Sequence, residues 1–432
     1  MAFFLLLALM LALVIAYFLN GEEIISPSVL FTSGFVLMTF FALLNLKKWS
    51  LNVDINTFLV LVGGVAEFTV VCWLISKIRN NSTQEVKSRL NVPTLNKAKL
   101  TILCIVVFIN FLIIVAEIRK ITGISNPIKA GNYLNYASRQ LNNTIRLSGR
   151  ASLLSIITLS IGVWSEWQFL LNLILLKRFN WRLFFIIVIA LITPLMTGVR
   201  GGTFTGIITI FIFLFFTLQL KNNSAKVNFK YTIIALLCIM IVLVALPLTA
   251  TMVGRDVSSY STFDYVSIYL GAQLKNLSIF IQNNSFPINI GVFGAYTFYS
   301  IIPSFAKVFH LNIPQYLPYL PFQYKNGYNL GNVYTVFYPW LYDFGYAGII
   351  IMTFVMAFIA QFIYSQAKLQ LKKGKLTSIL ILLYGYLGSF VFLAFFADGF
   401  IRAIGINLVY MIITWYILNI LFFDKFKLRK SK

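Results

Sequence analysis

Acidic side chains are scarce: 12 Asp and Glu stand among 432 residues, against 35 Lys and Arg, and there is a single histidine, His310. The few carboxylates form no D-x-D pair or similar cluster, and neither a Walker-type glycine loop nor an H-E-x-x-H motif occurs. Metal-dependent nucleotide-sugar transfer, ATP hydrolysis and zinc chemistry therefore lack the residues they need. Cysteine is almost absent too. Cys72, Cys104 and Cys238 lie far apart inside apolar runs, which argues against a disulfide framework or a thiolate metal site and makes them packing residues at lipid depth. No internal repeat is visible.

What the chain has in abundance is apolar surface: 59% of it is hydrophobic, only 11% is charged and the mean hydropathy is +0.85. An ordinary soluble domain cannot be made from this composition. Crossing a bilayer takes about 20 apolar residues per helix. Such runs recur at 2–19, 28–46, 57–76, 100–117, 152–176, 183–198, 203–220, 231–248, 346–365, 377–396 and 404–422, predicting about eleven spans, within a range of ten to twelve. Strands of about 10 alternating residues, the mark of a transmembrane barrel, do not occur. The expected fold is all-α, one integral membrane domain over residues 1–432. Met1–Leu19 has neither a basic leader nor a small-residue cleavage site before Glu22 and Glu23, so it reads as a retained first span.

Lys and Arg are enriched in cytoplasmic loops. The tail after Phe423, the loop with Lys368, Lys372, Lys373 and Lys375, and those around Lys221 and Lys177 alternate consistently, placing the C-terminus inside. The count back sets 118–150 and the N-terminus outside. The former carries Arg119, Lys120, Lys129, Arg139, Arg146 and Arg150 without an acid after Glu117. A basic outer loop breaks the usual bias, which points to an anionic ligand. The longest non-spanning region, 250–345, also faces outward and holds much of the tyrosine and proline. It is expected to fold on the membrane surface, with 262–283 as an interfacial amphipathic helix.

Three arginines beside small residues fall at the outer face: Arg200 in TGVRGG, Arg255 in MVGRDVSSY and Arg402 in ADGFIRA. Charge at membrane depth is costly and often functional, and the guanidinium fork suits phosphate and diphosphate. Converging, the three can hold a lipid diphosphate; separately, each can snorkel to headgroups. Asp343 can serve as a general base on a sugar hydroxyl or cap a helix. His310 is the second candidate base, and Lys307 a phosphate contact. Loop tyrosines such as Tyr324 and Tyr334 can stack on sugar rings or sit in an aromatic belt. Glu67 and Glu166 lie inside spans, where a proton relay is the functional reading.

TGVRGG between mid-chain spans, an arginine opening a long outer loop, GNVYTVFYPWLYDFGYAG leading back into the membrane and the SPSVLFTSGFVLMTFFALLN second span together resemble the Wzy-type O-antigen and capsule repeat-unit polymerases. That family carries an Arg-x15-Gly pattern in outer loops, which Arg255 and Gly271 fit; Arg182 and Gly198 fit it inside a span. The resemblance implies a GT-C-like bundle in the bacterial cytoplasmic (inner) membrane. Its substrate would be an undecaprenyl-diphosphate-linked oligosaccharide, with no cofactor and no nucleic acid. It would work alongside a flippase and a chain-length regulator, in the synthesis of lipopolysaccharide or capsule. The diphosphate is itself a good leaving group, so arginine can stabilise the departing charge without metal, and direct displacement would invert the anomeric carbon. Under this reading Arg200, Arg255, Asp343 and His310 are catalytic, while Arg402, Lys307, Tyr324, Tyr334, Arg146 and Arg150 bind substrate. Three rivals remain: an O-antigen ligase, to which His310 would belong; a polysaccharide flippase or other transporter, for which Glu67 and Glu166 speak; and a purely structural membrane partner of an export complex, whose arginines bind lipid headgroups only.

Overall fold

The computed structural model describes residues 1–79, 92–140, 145–222, 261–289, 291–313 and 320–423. Element labels number these described elements in chain order. Among the described residues eight helices are long and apolar enough to cross a membrane. They are α1 (Ala2–Leu19), α2 (Pro27–Leu44), α3 (Ile55–Arg79), α4 (Lys97–Thr122), α6 (Gly149–Leu170, prolonged by a π turn Leu171–Leu175), α8 (Gly201–Asn222), α11 (Phe337–Lys372) and α14 (Ile406–Phe423). Two shorter apolar helices, α7 (Trp181–Met196) and α12 (Ile379–Phe392, continued by a 3-10 turn Leu393–Phe395), lie among them. The chain is thus an all-α polytopic membrane protein. Each span expected from hydropathy within the described residues has its helix; the one at 231–248 lies outside them, as does Cys238, whereas Cys72 and Cys104 are free and buried.

Local sequence explains where the helices start and stop. Asn96 caps α4 through its side chain, accepting from Ala98 and Lys99 N–H, and Gly123 ends it at φ 69° with Arg119 and Lys120 in the last turn. Ser148, Asn180 and Ser378 cap α6, α7 and α12 in the same way. Pro27 opens α2, where its missing N–H costs nothing.

Lipid tails are as apolar as leucine, so helices here associate through close packing and hydrogen bonds. Phe31 stacks on Phe68 at 4.1 Å between α2 and α3. The buried indoles are tied across helices: Trp164 donates to Asn419 Oδ1 (3.1 Å), Trp167 to Leu376 O (2.7 Å) and Trp415 to Ser160 O (2.9 Å).

Cross-links define two ends of the bundle. At one, which we call the lower end, Glu23 accepts from Tyr364 and Lys368, Tyr384 donates to Ile25 O, and Asn419 donates to Thr377 O. At the upper end Lys48 pairs with Asp264, Lys275 donates to Ser50 O and Asn135 to Gly198 O. The start of α1 and the described parts of 123–148 and 261–345 therefore share the upper end, and the basic turn at 368–375 sits at the lower.

The upper end carries α5 (Pro127–Gln140), α9 (Thr262–Asn283), α10 (Ile302–Val308), α13 (Gly399–Ala403) and a hairpin of β1 (Gln323–Lys325) and β2 (Tyr328–Gly331). The hairpin was not expected. Its turn is Asn326-Gly327, both at positive φ (49° and 80°), the geometry that suits a two-residue hairpin loop. α9 also departs from the expected surface helix, because most of its residues are buried inside the protein. Its polar residues are buried with its apolar ones, and two of them are tied to neighbouring segments: Lys275 donates to Ser50 O, and Asn276 donates to Leu330 O and Val333 O of the hairpin segment. Gly271 permits this, since a side chain there would run into the Ala42 backbone of α2. In α11, Gly345 (φ 66°, ψ −154°) breaks the helix and sets Phe337–Phe344 apart from the span that follows.

Candidate functional site

The turn between α7 and α8 builds the first half of the site. Pro194 weakens the last turn of α7, and Thr197 N and Val199 N fold back onto its carbonyl. Gly198, at φ +72°, lies against the α5 backbone at Gly131, with Asn135 of α5 donating to its carbonyl at 2.8 Å. Only glycine meets both the backbone sign and the close approach. Arg200 then opens α8, its carbonyl accepting from Thr203 N and Phe204 N.

The Arg200 side chain is 6% exposed. One terminal nitrogen donates to Tyr265 Oη at 2.8 Å, and the guanidinium stands 5.3 Å from the Tyr269 ring centre and 5.9 Å from that of Tyr265. Its other terminal nitrogen, Nη2, is buried without a hydrogen-bond partner among the described residues. Beside it the first N–H groups of α8 have no intrahelical acceptor, and at Gly201 the space a Cβ would fill is open. A buried cation with an uncommitted donor, at a helix N-terminus with an open face, is a setting for an anion.

The second half comes from the connection between α12 and α14. Tyr269 stacks on Phe396 at 6.4 Å, and two residues on stands Asp398, 1% exposed. Asp398 holds the position before α13 yet makes no cap bond, and among the described residues neither carboxylate oxygen has a hydrogen-bond partner. Burial pushes its carboxyl up to about 7, against the opposing charge of Arg402. Arg402 lies 4.7 Å over the Tyr299 ring, and its Nε is likewise unpartnered. Val336 N donates to Ala394 O, and Thr335 bridges Ala397, so the start of α11 holds this connection in place.

Of the residues expected from sequence, Arg200 and Arg402 belong to this region. Arg255 lies outside the described residues, and its spacing partner Gly271 serves helix packing. Asp343 has a different task from the base expected of it. It is 6% exposed, and its carboxylate accepts from Asn289 Nδ2 (2.9 Å), Tyr296 N (3.0 Å) and Thr297 N (2.6 Å), so its lone pairs are committed to holding the 289–297 turn. Tyr334 is not a sugar platform either: at 2% exposure its ring packs on Tyr338 and its hydroxyl donates to Pro321 O. Tyr324 is 66% exposed on β1 and remains accessible. His310 follows α10, exposed, at φ 52°, and Lys307 falls within α10. Arg146 is exposed just ahead of α6, and Arg150 is exposed in its first turn.

Sequence reasoning missed Asp398, Tyr265, Tyr269 and Tyr299. For Asp398 a signal existed: one of 12 acids, four residues before Arg402 between two apolar runs. Nothing in the sequence couples Tyr265 and Tyr269 to Arg200. A hollow lies elsewhere, at the lower end, lined by Pro93, Gln370 and Gly374–Ser378. We place the site at Arg200 nonetheless, because the buried uncommitted charges are there. No family model, curated protein or solved structure matches the chain.

Proposed function

We propose that this chain is a membrane glycosyltransferase. It joins undecaprenyl-diphosphate-linked oligosaccharide repeat units at the outer face of the bacterial cytoplasmic membrane, where the upper end would lie. The observation that carries the reading is Arg200: a buried guanidinium under two tyrosine rings, with one donor uncommitted, at the N-terminus of α8. A diphosphate supplies the anion such a donor needs, and the helix N-terminus favours the same charge. Charge grows on the leaving diphosphate as the anomeric C–O bond breaks. Donors already fixed in a site shielded from water stabilise that charge without reorganising. Arg402 contributes a second cation near the reacting sugar, and Arg255 is proposed as a third. The accessible Tyr324 is available to the glycan. Displacement by an acceptor hydroxyl would invert the anomeric centre.

A transporter reading draws on Glu166, whose Oε2 is buried in α6 without a partner while its Oε1 lies near Gly206 of α8. The two readings separate in one experiment. Purified protein in liposomes is supplied with a lipid-diphosphate-linked oligosaccharide, and the products are sized on a gel. Polymerisation gives a ladder that Arg200→Ala abolishes and Arg200→Lys restores in part. A wild-type protein that moves the lipid across the bilayer without lengthening the glycan contradicts the proposal, as does a full ladder from Arg200→Ala.

A further inference from the structure

We infer that Asp398 is the group that accepts the proton of the attacking sugar hydroxyl, with Arg402 and Tyr299 forming the subsite for the acceptor sugar. The inference rests on the glycosyltransferase reading above and assigns the base that reading leaves open.

The ordinary uses of an aspartate at this position are left unmade. As the residue preceding α13 it would cap the helix, yet its oxygens close no hydrogen bond to a helix N–H among the described residues, the Ile401 N–H only approaching the carboxylate. With an arginine four residues on it would form an ion pair, yet no pairing closes between Asp398 and Arg402, and the Arg402 guanidinium lies over Tyr299. A carboxylate almost fully buried with both oxygens free carries a large desolvation cost unless a ligand completes it. The neighbouring Arg402 Nε is a free donor as well. A sugar supplies both partners at once: one hydroxyl donates to the carboxylate, another oxygen accepts from Nε, and the sugar's apolar face can rest on Tyr299.

Placement supports the same role. Arg200 and Asp398 border the Tyr269–Phe396 stack, Arg200 facing the Tyr269 ring and Asp398 two residues beyond Phe396. The donor diphosphate on Arg200 and the acceptor sugar at Asp398 would thus meet across one aromatic wall. In the transfer step the acceptor oxygen forms its bond to the donor's anomeric carbon while its proton passes to the Asp398 carboxylate. The bond from that carbon to the diphosphate breaks with its electron pair leaving on the diphosphate oxygen. Asp398 then returns its proton to water. Asp343 cannot take this part while its oxygens hold the Asn289, Tyr296 and Thr297 donors.

The test measures elongation of a lipid-diphosphate-linked oligosaccharide by wild type, Asp398→Asn and Asp398→Glu in liposomes, with binding of the same lipid followed separately. Wild-type elongation comes first; if it is absent, the glycosyltransferase reading itself has failed. Given elongation, Asp398→Asn should lower kcat by about a hundredfold or more, as loss of a general base does, while its affinity for the lipid changes by less than about threefold. Asp398→Glu should recover part of the rate. Unchanged kcat in Asp398→Asn overturns the inference, and so does a loss confined to KM, which would mark a binding residue only. If Asp398→Asn does not survive extraction, Asp398→Glu decides. A kcat about tenfold down with KM held supports the role, and wild-type kcat refutes it.

Discussion

Two buried aspartates at the same end of this protein have opposite surroundings. Around Asp343 the chain supplies three N–H donors within 3.0 Å. Around Asp398 the described residues supply none that closes a hydrogen bond, the Ile401 N–H only approaching it. A satisfied buried carboxylate stabilises the fold, whereas an unsatisfied one is tolerated at a cost and marks a place where something else binds. The lower end of the bundle sharpens the contrast: there Glu23 is held by Tyr364 and Lys368, a closed knot that ties the α1–α2 turn to α11.

The largest expected effect breaks the comparison from the Asp343 side. Asp343→Ala orphans the backbone N–H groups of Tyr296 and Thr297, and at about 1 to 3 kcal/mol per buried donor the variant should lose several kcal/mol. It should unfold well below wild type in a thermal shift in detergent. Asp398→Ala should show the reverse pattern, with thermal stability kept or raised by about 1 kcal/mol because an uncompensated polar group is removed, and with transfer lost. Equal destabilisation of the two variants would erase the distinction.

Next in size is Gly198→Ala. The alanine meets a left-handed backbone and the α5 carbonyl at Gly131. It should cost on the order of 2 kcal/mol and weaken transfer through the displaced Arg200 turn, measurable as loss of both melting temperature and rate. The Glu23 knot should be felt in stability alone. Glu23→Gln leaves Lys368 partly buried without its partner and should lower stability by about 1 to 2 kcal/mol while the ladder from surviving protein keeps its length distribution.

The smallest effect belongs to Lys48 and Asp264, a pair in which the lysine end is exposed and the aspartate buried. Burial alone pushes the Asp264 carboxyl up, but hydrogen bonds from Lys48 and Ser261 and the Lys48 charge together hold it below the usual carboxylate range. A depressed carboxylate contributes stability that is present above its unfolded value near 3.8 and is lost as pH falls below that through its lower folded value. Lys48→Met should therefore change stability by less than about 1 kcal/mol at neutral pH, and the difference from wild type should shrink further below pH 4.

How much of this was legible beforehand follows from the physics of each part. The spans were, since a run of apolar residues of bilayer length has few other structures open to it. Arg200 was too, because charge among glycines between two spans is conspicuous. The burial of α9 was not: its hydrophobic pattern suits a surface helix, and only the contacts of Gly271 with α2 and of Asn276 with the hairpin show that both faces are covered. Asp343 and Asp398 look alike in sequence. What separates them is the set of N–H donors that the 289–297 turn brings from about fifty residues away to one and not to the other. The Asn326-Gly327 turn was a readable hairpin signal, masked by the helical character of the rest.

The most direct test of the central claim is the affinity of purified protein for undecaprenyl diphosphate, wild type against Arg200→Ala, with thermal stability measured in parallel. The account predicts that affinity drops at least tenfold while the melting temperature holds. Equal affinity in a folded Arg200→Ala protein would contradict it.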